Sequence, residues 1–443
     1  MPGFQRFTIP VSGMMGIGRK TLAERSSRRA APTVLLRVGF LFFLFSCMFN
    51  LPGRPGKPEY PQVLNGIDVL REMNFAPLAG KRVGLITNHT GLAIDGVSTI
   101  DLLHETEVCD LVALFSPEHG IRGLMDGRVY SSTDERTGLP IHSLYGNTRR
   151  PTVEMLENID VLVFDIQDIG ARFYTYITTM AYCMEAAAQA RIPFFVLDRP
   201  NPIGGIKVEG PMLDEDKTSF VGYMPLPVRH GMTVGELARY FNEENGIGVQ
   251  LHVIEIKGWR RSFYFWDTGQ LWVNPSPNMR SMTAAILYPG VCLLEMTNVS
   301  VGRGTDRPFE MVGAPWIDPT RFAASLRETA IPGVRFVPVY FTPDTGKNHG
   351  EKCGGVSFII EDREKLYPVT LGLTLIAVLH SLYPDSFQMD NVMTLLGNAE
   401  VMNGLRKGQM PAEEFLRRSP EFLNFLDKRR KALIYDSESG RRE

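Results

Sequence analysis

The sequence predicts an α/β protein, a Rossmann-like and mostly parallel sheet domain followed by a smaller α+β domain. Two observations carry that expectation. Four apolar runs, residues 83–86, 111–115, 161–164 and 194–197, are rich in Val, Ile, Leu and Phe and do not alternate with polar residues. Such runs fit strands buried on both faces, as a parallel sheet covered by helices requires. Helical spacing then recurs between and after them to about Tyr288, which is the alternation of a doubly wound domain.

Taken in order, residues 1–50 read as an export segment. Arg19, Lys20, Arg25, Arg28, Arg29 and Arg37 precede the apolar stretch 38–49, which is short for a bilayer span. Within it Leu44-Phe-Ser-Cys47 resembles a bacterial lipobox, so lipidation at Cys47 is expected, with plain signal cleavage as the alternative. Phe45 departs from that motif. The expected location is therefore periplasmic or lipid-anchored at the cell envelope. Residues 51–62, with Pro and Gly at short intervals, read as a linker.

The sheet domain is expected over residues 63–288. It opens on a helix at 65–72, and a long helix at 170–191 follows from the spacing of Phe173, Ile177, Met180, Met184 and Ala187. Tyr174 and Tyr176 would fall in its first turns. Thr233 and Glu236 stand at capping-box spacing, so a helix should start there. In the α+β domain, residues 289–436, strands are expected at 334–339 and 355–360 and helices at 370–383, 391–405 and 420–435. Residues 437–443 form a tail.

With 443 residues, 44% hydrophobic, 22% charged and a formal net charge of −2, the chain has no basic footprint for nucleic acid. A small or neutral ligand fits better. Cys109, Cys183, Cys292 and Cys353 stand singly, without zinc-site spacing, and read as buried free thiols. Residues 13–21 miss a phosphate loop, because Arg19 stands where Lys is needed. No His-Glu-x-x-His or calcium-loop motif occurs, so neither metal nor cofactor is expected.

Each apolar run ends on a polar cluster, and ligands of parallel sheets sit outside the carboxyl ends of the strands. That places Asn88, Glu118, His119, Asp165, Gln167, Asp168, Asp198 and Arg199 along one rim. Glu118 follows a buried strand and Pro117 on a tight turn, so it suits proton transfer. Its bland reading is a helix cap or a partner for Arg122. Asp165 and Asp168 offer a second carboxylate. Either could instead cap a helix or hold Arg172, at whose helix start an anion could also bind. Asn201 lies in the stiff turn Asp198-Arg-Pro-Asn-Pro202, and His230 precedes a helix. Asn278, Glu295 and Arg303 belong to polar, Gly-rich segments at the domain junction, where such segments close clefts.

The strings Leu85-Ile-Thr-Asn-His-Thr-Gly91, Ser116-Pro-Glu-His-Gly-Ile-Arg-Gly123, 164–176, Asp198-Arg-Pro-Asn-Pro202 and Asn274-Pro-Ser-Pro-Asn278 together resemble the exo-β-N-acetylmuramidase family of peptidoglycan glycoside hydrolases. The resemblance runs from about Val63 to Tyr435. It implies an active site between the two domains and removal of β-1,4-linked N-acetylmuramic acid from the non-reducing end of cell-wall fragments. It implies Glu118 as catalytic acid. The partner is open among Asp165, Asp168, Glu295 and the substrate's own acetamido group. The lactyl carboxylate of the sugar calls for a cation, with Arg172 and Arg303 as candidates, and Tyr174, Tyr176 or Trp316 could stack on the sugar. Alternatives are an exported glycosidase of other specificity and a non-catalytic exported binder of muropeptides.

Overall fold

The computed structural model describes residues 62–121, 130–146, 148–410 and 413–436. The export segment, Cys47, most of the linker, Arg122 and the tail lie outside the described residues. The strands are β1 (Arg82–Thr87), β2 (Asp110–Ser116), β3 (Ser132–Thr133), β4 (Pro140–Ser143), β5 (Val161–Asp165), β6 (Phe194–Leu197), β7 (Glu209–Met212), β8 (Pro227–Arg229), β9 (Leu251–Ile254), β10 (Met311–Ala314), β11 (Val334–Phe341) and β12 (Cys353–Ile360). The seven-stranded sheet has the order β3-β4-β2-β1-β5-β6-β9. Its pairs are parallel except β3 with β4. All four predicted runs are strands of this sheet, and β5 is buried along its whole length. The chain steps outward from β1 to β2 and returns to its other side at β5, so a switch point lies beside β1.

The smaller part holds the antiparallel sheet β10-β12-β11, with the helix Pro319–Glu328 against it. One apolar core runs from Phe164 and Met180 through Leu287 to Val356 and Leu375. The helices Met282–Val291 and Pro368–Leu382 meet where both lack a side chain. A Cβ at Gly290 would stand 1.7 Å from the Pro368 carbonyl oxygen, and one at Gly372 2.3 Å from that of Gly290. Cys109, Cys183, Cys292 and Cys353 are buried and free, as the sequence suggests.

Two expected helices need correction, and one strand was not expected. The helix expected from residue 170 begins six residues later, as Tyr176–Ala190. Residues before it pair with β8 instead: Ala171 bridges Arg229, and Arg172 N donates to the Val228 carbonyl at 2.8 Å. The helix expected at 391–405 is broken by Gly397, in the left-handed region at φ 59°, into Met393–Leu396 and Ala399–Arg406. Its carbonyls at Leu395 and Leu396 turn toward Arg172. Strand β10 directly follows the polar, Gly-rich segment that ends at Glu310 and has no counterpart among the expected strands. It fits there because a Cβ at Gly355 of its neighbour β12 would approach the Val312 carbonyl oxygen to 1.9 Å.

Candidate active site

Strand β2 runs out at Ser116, and Gly120 N bonds back to the Pro117 carbonyl at 3.1 Å. His119 and Gly120 both take the left-handed conformation, at φ 69° and 78°. That is unusual for His and marks a turn held by its surroundings. It leaves Glu118 on the wall of a cleft of 280 Å³. The Glu118 carboxylate accepts the Thr175 hydroxyl at 2.5 Å. Thr175 is the N-cap residue of Tyr176–Ala190 and does not cap that helix with its side chain, which is spent on the carboxylate instead.

The facing wall comes from the 274–278 segment and the chain beyond it. His89, just past β1, donates Nε2–H to the Asn274 carbonyl at 2.6 Å, and the Tyr176 hydroxyl donates to that of Pro275 at 2.5 Å. Clamped at both points, the segment presents Ser276 and Asn278 to the cleft. Glu295 and Arg303 complete it as an ion pair. With its amide oxygen turned toward Arg303, Asn278 accepts from Nη2 and Nε at 3.2 and 3.3 Å. Phe173, Val221, Tyr288, Met296 and Phe309 supply apolar walls. Such a mixture of apolar lining and few convergent polar groups suits a sugar-sized ligand.

Of the residues singled out from the sequence, Glu118, His119, Tyr174, Tyr176, Asn278, Glu295 and Arg303 share this cleft. Tyr174 sits edge-on to Tyr176 and Tyr288, and its hydroxyl makes no hydrogen bond of ordinary geometry. The others do not line the cleft. Asp165 is fully buried and held by Arg199 through Nε at 2.5 Å and Nη2 at 3.0 Å, with Thr99 on the same carboxylate. Arg199 also donates to the Leu92 carbonyl. Asp198 receives Arg199 N, Gly235 N, Thr233 and Tyr435. It ties β6 to the helix Val234–Glu244, whose predicted capping box is present.

Arg172 is the clearest reassignment, from sugar ligand to internal clamp. Its guanidinium is buried and donates to the carbonyls of Pro211, Leu226, Leu395 and Leu396 at 2.6–3.2 Å. Burial pulls its pKa down to about 9. Asn201 and Gln167 likewise spend their amides on backbone groups, and Asn88 holds the turn after β1 through Thr90. Asp168 bonds Gly170 N at 2.7 Å and lies 3.9 Å from His230. Burial pushes Asp168 up to about 7 and His230 down to about 3, so both favour their neutral forms inside the protein. Trp316 packs on Tyr383 and Phe387 in the C-terminal part.

Sequence reasoning passed over Thr175, Ser276 and Cys292, which also line the cleft. Thr175 and Ser276 lie within two of the strings that carried the family resemblance, which was their only signal. A larger cavity of 1160 Å³, lined by segments including Pro211–Glu215 and Ser419–Phe425, contains none of the residues singled out from the sequence.

Two family models match this chain. The N-terminal domain of the exo-β-N-acetylmuramidase NamZ covers residues 83–283, and its C-terminal domain covers 286–435. A peptidoglycan β-N-acetylmuramidase NamZ of Bacillus subtilis (strain 168) is 45% identical over 380 residues, 85% of this chain and 92% of that protein. Two crystal structures of DUF1343 family proteins from Bacteroides fragilis NCTC 9343 share the fold. One has a TM-score of 0.80 at 38% identity, the other 0.70 at 32%, each over 85% of this chain and 99% of its own. With both domains matched in order and a curated relative aligned along most of its length, the chain belongs to the exo-β-N-acetylmuramidase NamZ family.

Proposed function

We infer that this chain is an exo-acting glycoside hydrolase that removes β-1,4-linked N-acetylmuramic acid from the non-reducing end of peptidoglycan fragments. The observation that carries the reading is Glu118, on the wall of the cleft in a chain matched along both domains of the family. Its carboxyl, when protonated, can give its proton to the departing glycosidic oxygen. The Thr175 hydroxyl holds it in place, and Tyr174 and Tyr176 line the cleft with it. N-acetylmuramic acid differs from N-acetylglucosamine by a lactyl carboxylate. Arg303 is the guanidinium lining the cleft among the described residues, and its planar donors suit that group.

The test uses protein lacking residues before Met48 with a chromogenic β-N-acetylmuramide and the matching β-N-acetylglucosaminide. Release from the muramide alone is expected, reduced by about a hundredfold or more in Glu118→Gln, as for loss of a general acid. Release from neither by folded protein would refute the hydrolase reading.

A further inference from the structure

We propose that Glu295 is the second catalytic carboxylate, the one that stays ionised and meets the anomeric carbon while Glu118 protonates the leaving oxygen. The assignment rests on the hydrolase reading above. Among the described residues lining the cleft, Glu118 and Glu295 are the carboxylates. Their partners differ, a neutral hydroxyl on one and a guanidinium on the other. Glu118 accepts a neutral hydroxyl from Thr175. Glu295 is paired with the Arg303 guanidinium through one oxygen and accepts the Cys292 thiol at 3.4 Å through the other.

Glu295 is also held firmly from behind. It lies in the 3-10 turn Cys292–Met296 that directly continues the helix Met282–Val291, between buried Leu294 and the cleft. Lys347 donates to its backbone carbonyl at 2.9 Å, and Asn278 holds the far side of Arg303. Catalytic carboxylates need such support to keep their geometry. The rival aspartates are engaged elsewhere. Asp165 is locked to Arg199, Asp168 bonds Gly170 N in the interior, and Asp198 serves four donors.

In the step so assigned, the C1–O bond breaks and its electron pair goes to the leaving oxygen, which takes the proton of Glu118. The carboxylate of Glu295 meets the positive charge left at C1. Water then bonds to C1, displaces Glu295 and returns one proton to Glu118, so the enzyme ends as it began.

The test uses Glu295→Ala and Glu295→Gln in the full chain with the chromogenic β-N-acetylmuramide, with and without sodium azide. A loss of about a thousandfold is expected in both, with azide restoring turnover in Glu295→Ala and yielding the α-glycosyl azide. Activity within about tenfold of the parent overturns the assignment, as does loss without α-azide in a variant that melts like the parent. A second measurement needs no variant. A trifluoroacetamido substrate should leave the parent's kcat within about tenfold, whereas a fall of about a hundredfold or more would make the acetamido oxygen the nucleophile and overturn the role of Glu295. Absence of any muramide cleavage by the parent would instead defeat the hydrolase reading itself.

Discussion

The pair Asp165 and Arg199 separates a structural role from a catalytic one by energetics. Their side chains are 0% and 4% exposed, and the guanidinium grips both carboxylate oxygens, at 2.5 and 3.0 Å. Opposite unit charges in contact attract by about 4 kcal/mol at the effective dielectric of a protein, and burial offsets much of that. Removing one partner strands the other charge, which costs about 3–5 kcal/mol. Removing both avoids that penalty. Asp165→Asn and Arg199→Met should therefore each destabilise by about 3–5 kcal/mol, and the double variant by roughly no more than either alone, a coupling of about 3–5 kcal/mol or more. Urea midpoints at constant m-value measure this. Additive single losses would refute the reasoning. Folded Asp165→Asn should also keep its activity within about tenfold, because loss of a general acid or base costs about a hundredfold or more.

Two further predictions concern the interior. Asp168 titrates at about 7 in the folded protein and 3.8 otherwise, and His230 at about 3 against 6.5. Between pH 3.8 and about 7 the folded state keeps a proton on Asp168 that the unfolded state has lost, so that contribution to stability falls as pH rises. Between about pH 3 and 6.5 the folded state refuses a proton on His230 that the unfolded state takes, so that contribution falls as pH drops. Relative to the parent, Asp168→Asn should gain stability with rising pH by about 1.4 kcal/mol per unit across the first window. His230→Gln should lose it with rising pH across the second. Melts from pH 4 to 6.5 check both, and a pH-independent difference from the parent would contradict them. Arg172→Met should cost about 3–5 kcal/mol, since four carbonyls lose a buried cationic donor. Arg172→Lys should recover only part of that in urea titrations, because an ammonium lacks the planar fork; full recovery would mean that charge alone matters.

The parallel sheet was legible because burial on both faces leaves a direct mark, the continuous apolar runs at β1, β2, β5 and β6. The capping box at Thr233 and Glu236 was legible because it is a local contact three residues apart. Helix starts were less so. The spacing from Phe173 is helical, yet Ala171 and Arg172 pair with β8 more than fifty residues away, a contact that periodicity does not encode. The break at Gly397 is similar, because its neighbouring carbonyls serve Arg172 from the other half of the chain.

By itself the sequence determined the fold class and the rim of polar strand ends, and it singled out Glu118 as a candidate acid, since each depends on residues adjacent in the chain. It could not sort the rim. Asp165, Asp198 and Glu118 all follow apolar strands and look alike in sequence, yet two are saturated by Arg199, Thr233 and Tyr435 while the third opens on the cleft. Arg172 and Arg303 looked equally suited to a carboxylate, and only the tertiary structure turned one inward to four carbonyls and the other toward Glu295. The physical reason is that a charged side chain's role depends on which distant groups satisfy it, and those groups are brought to it only by the folding of the whole chain.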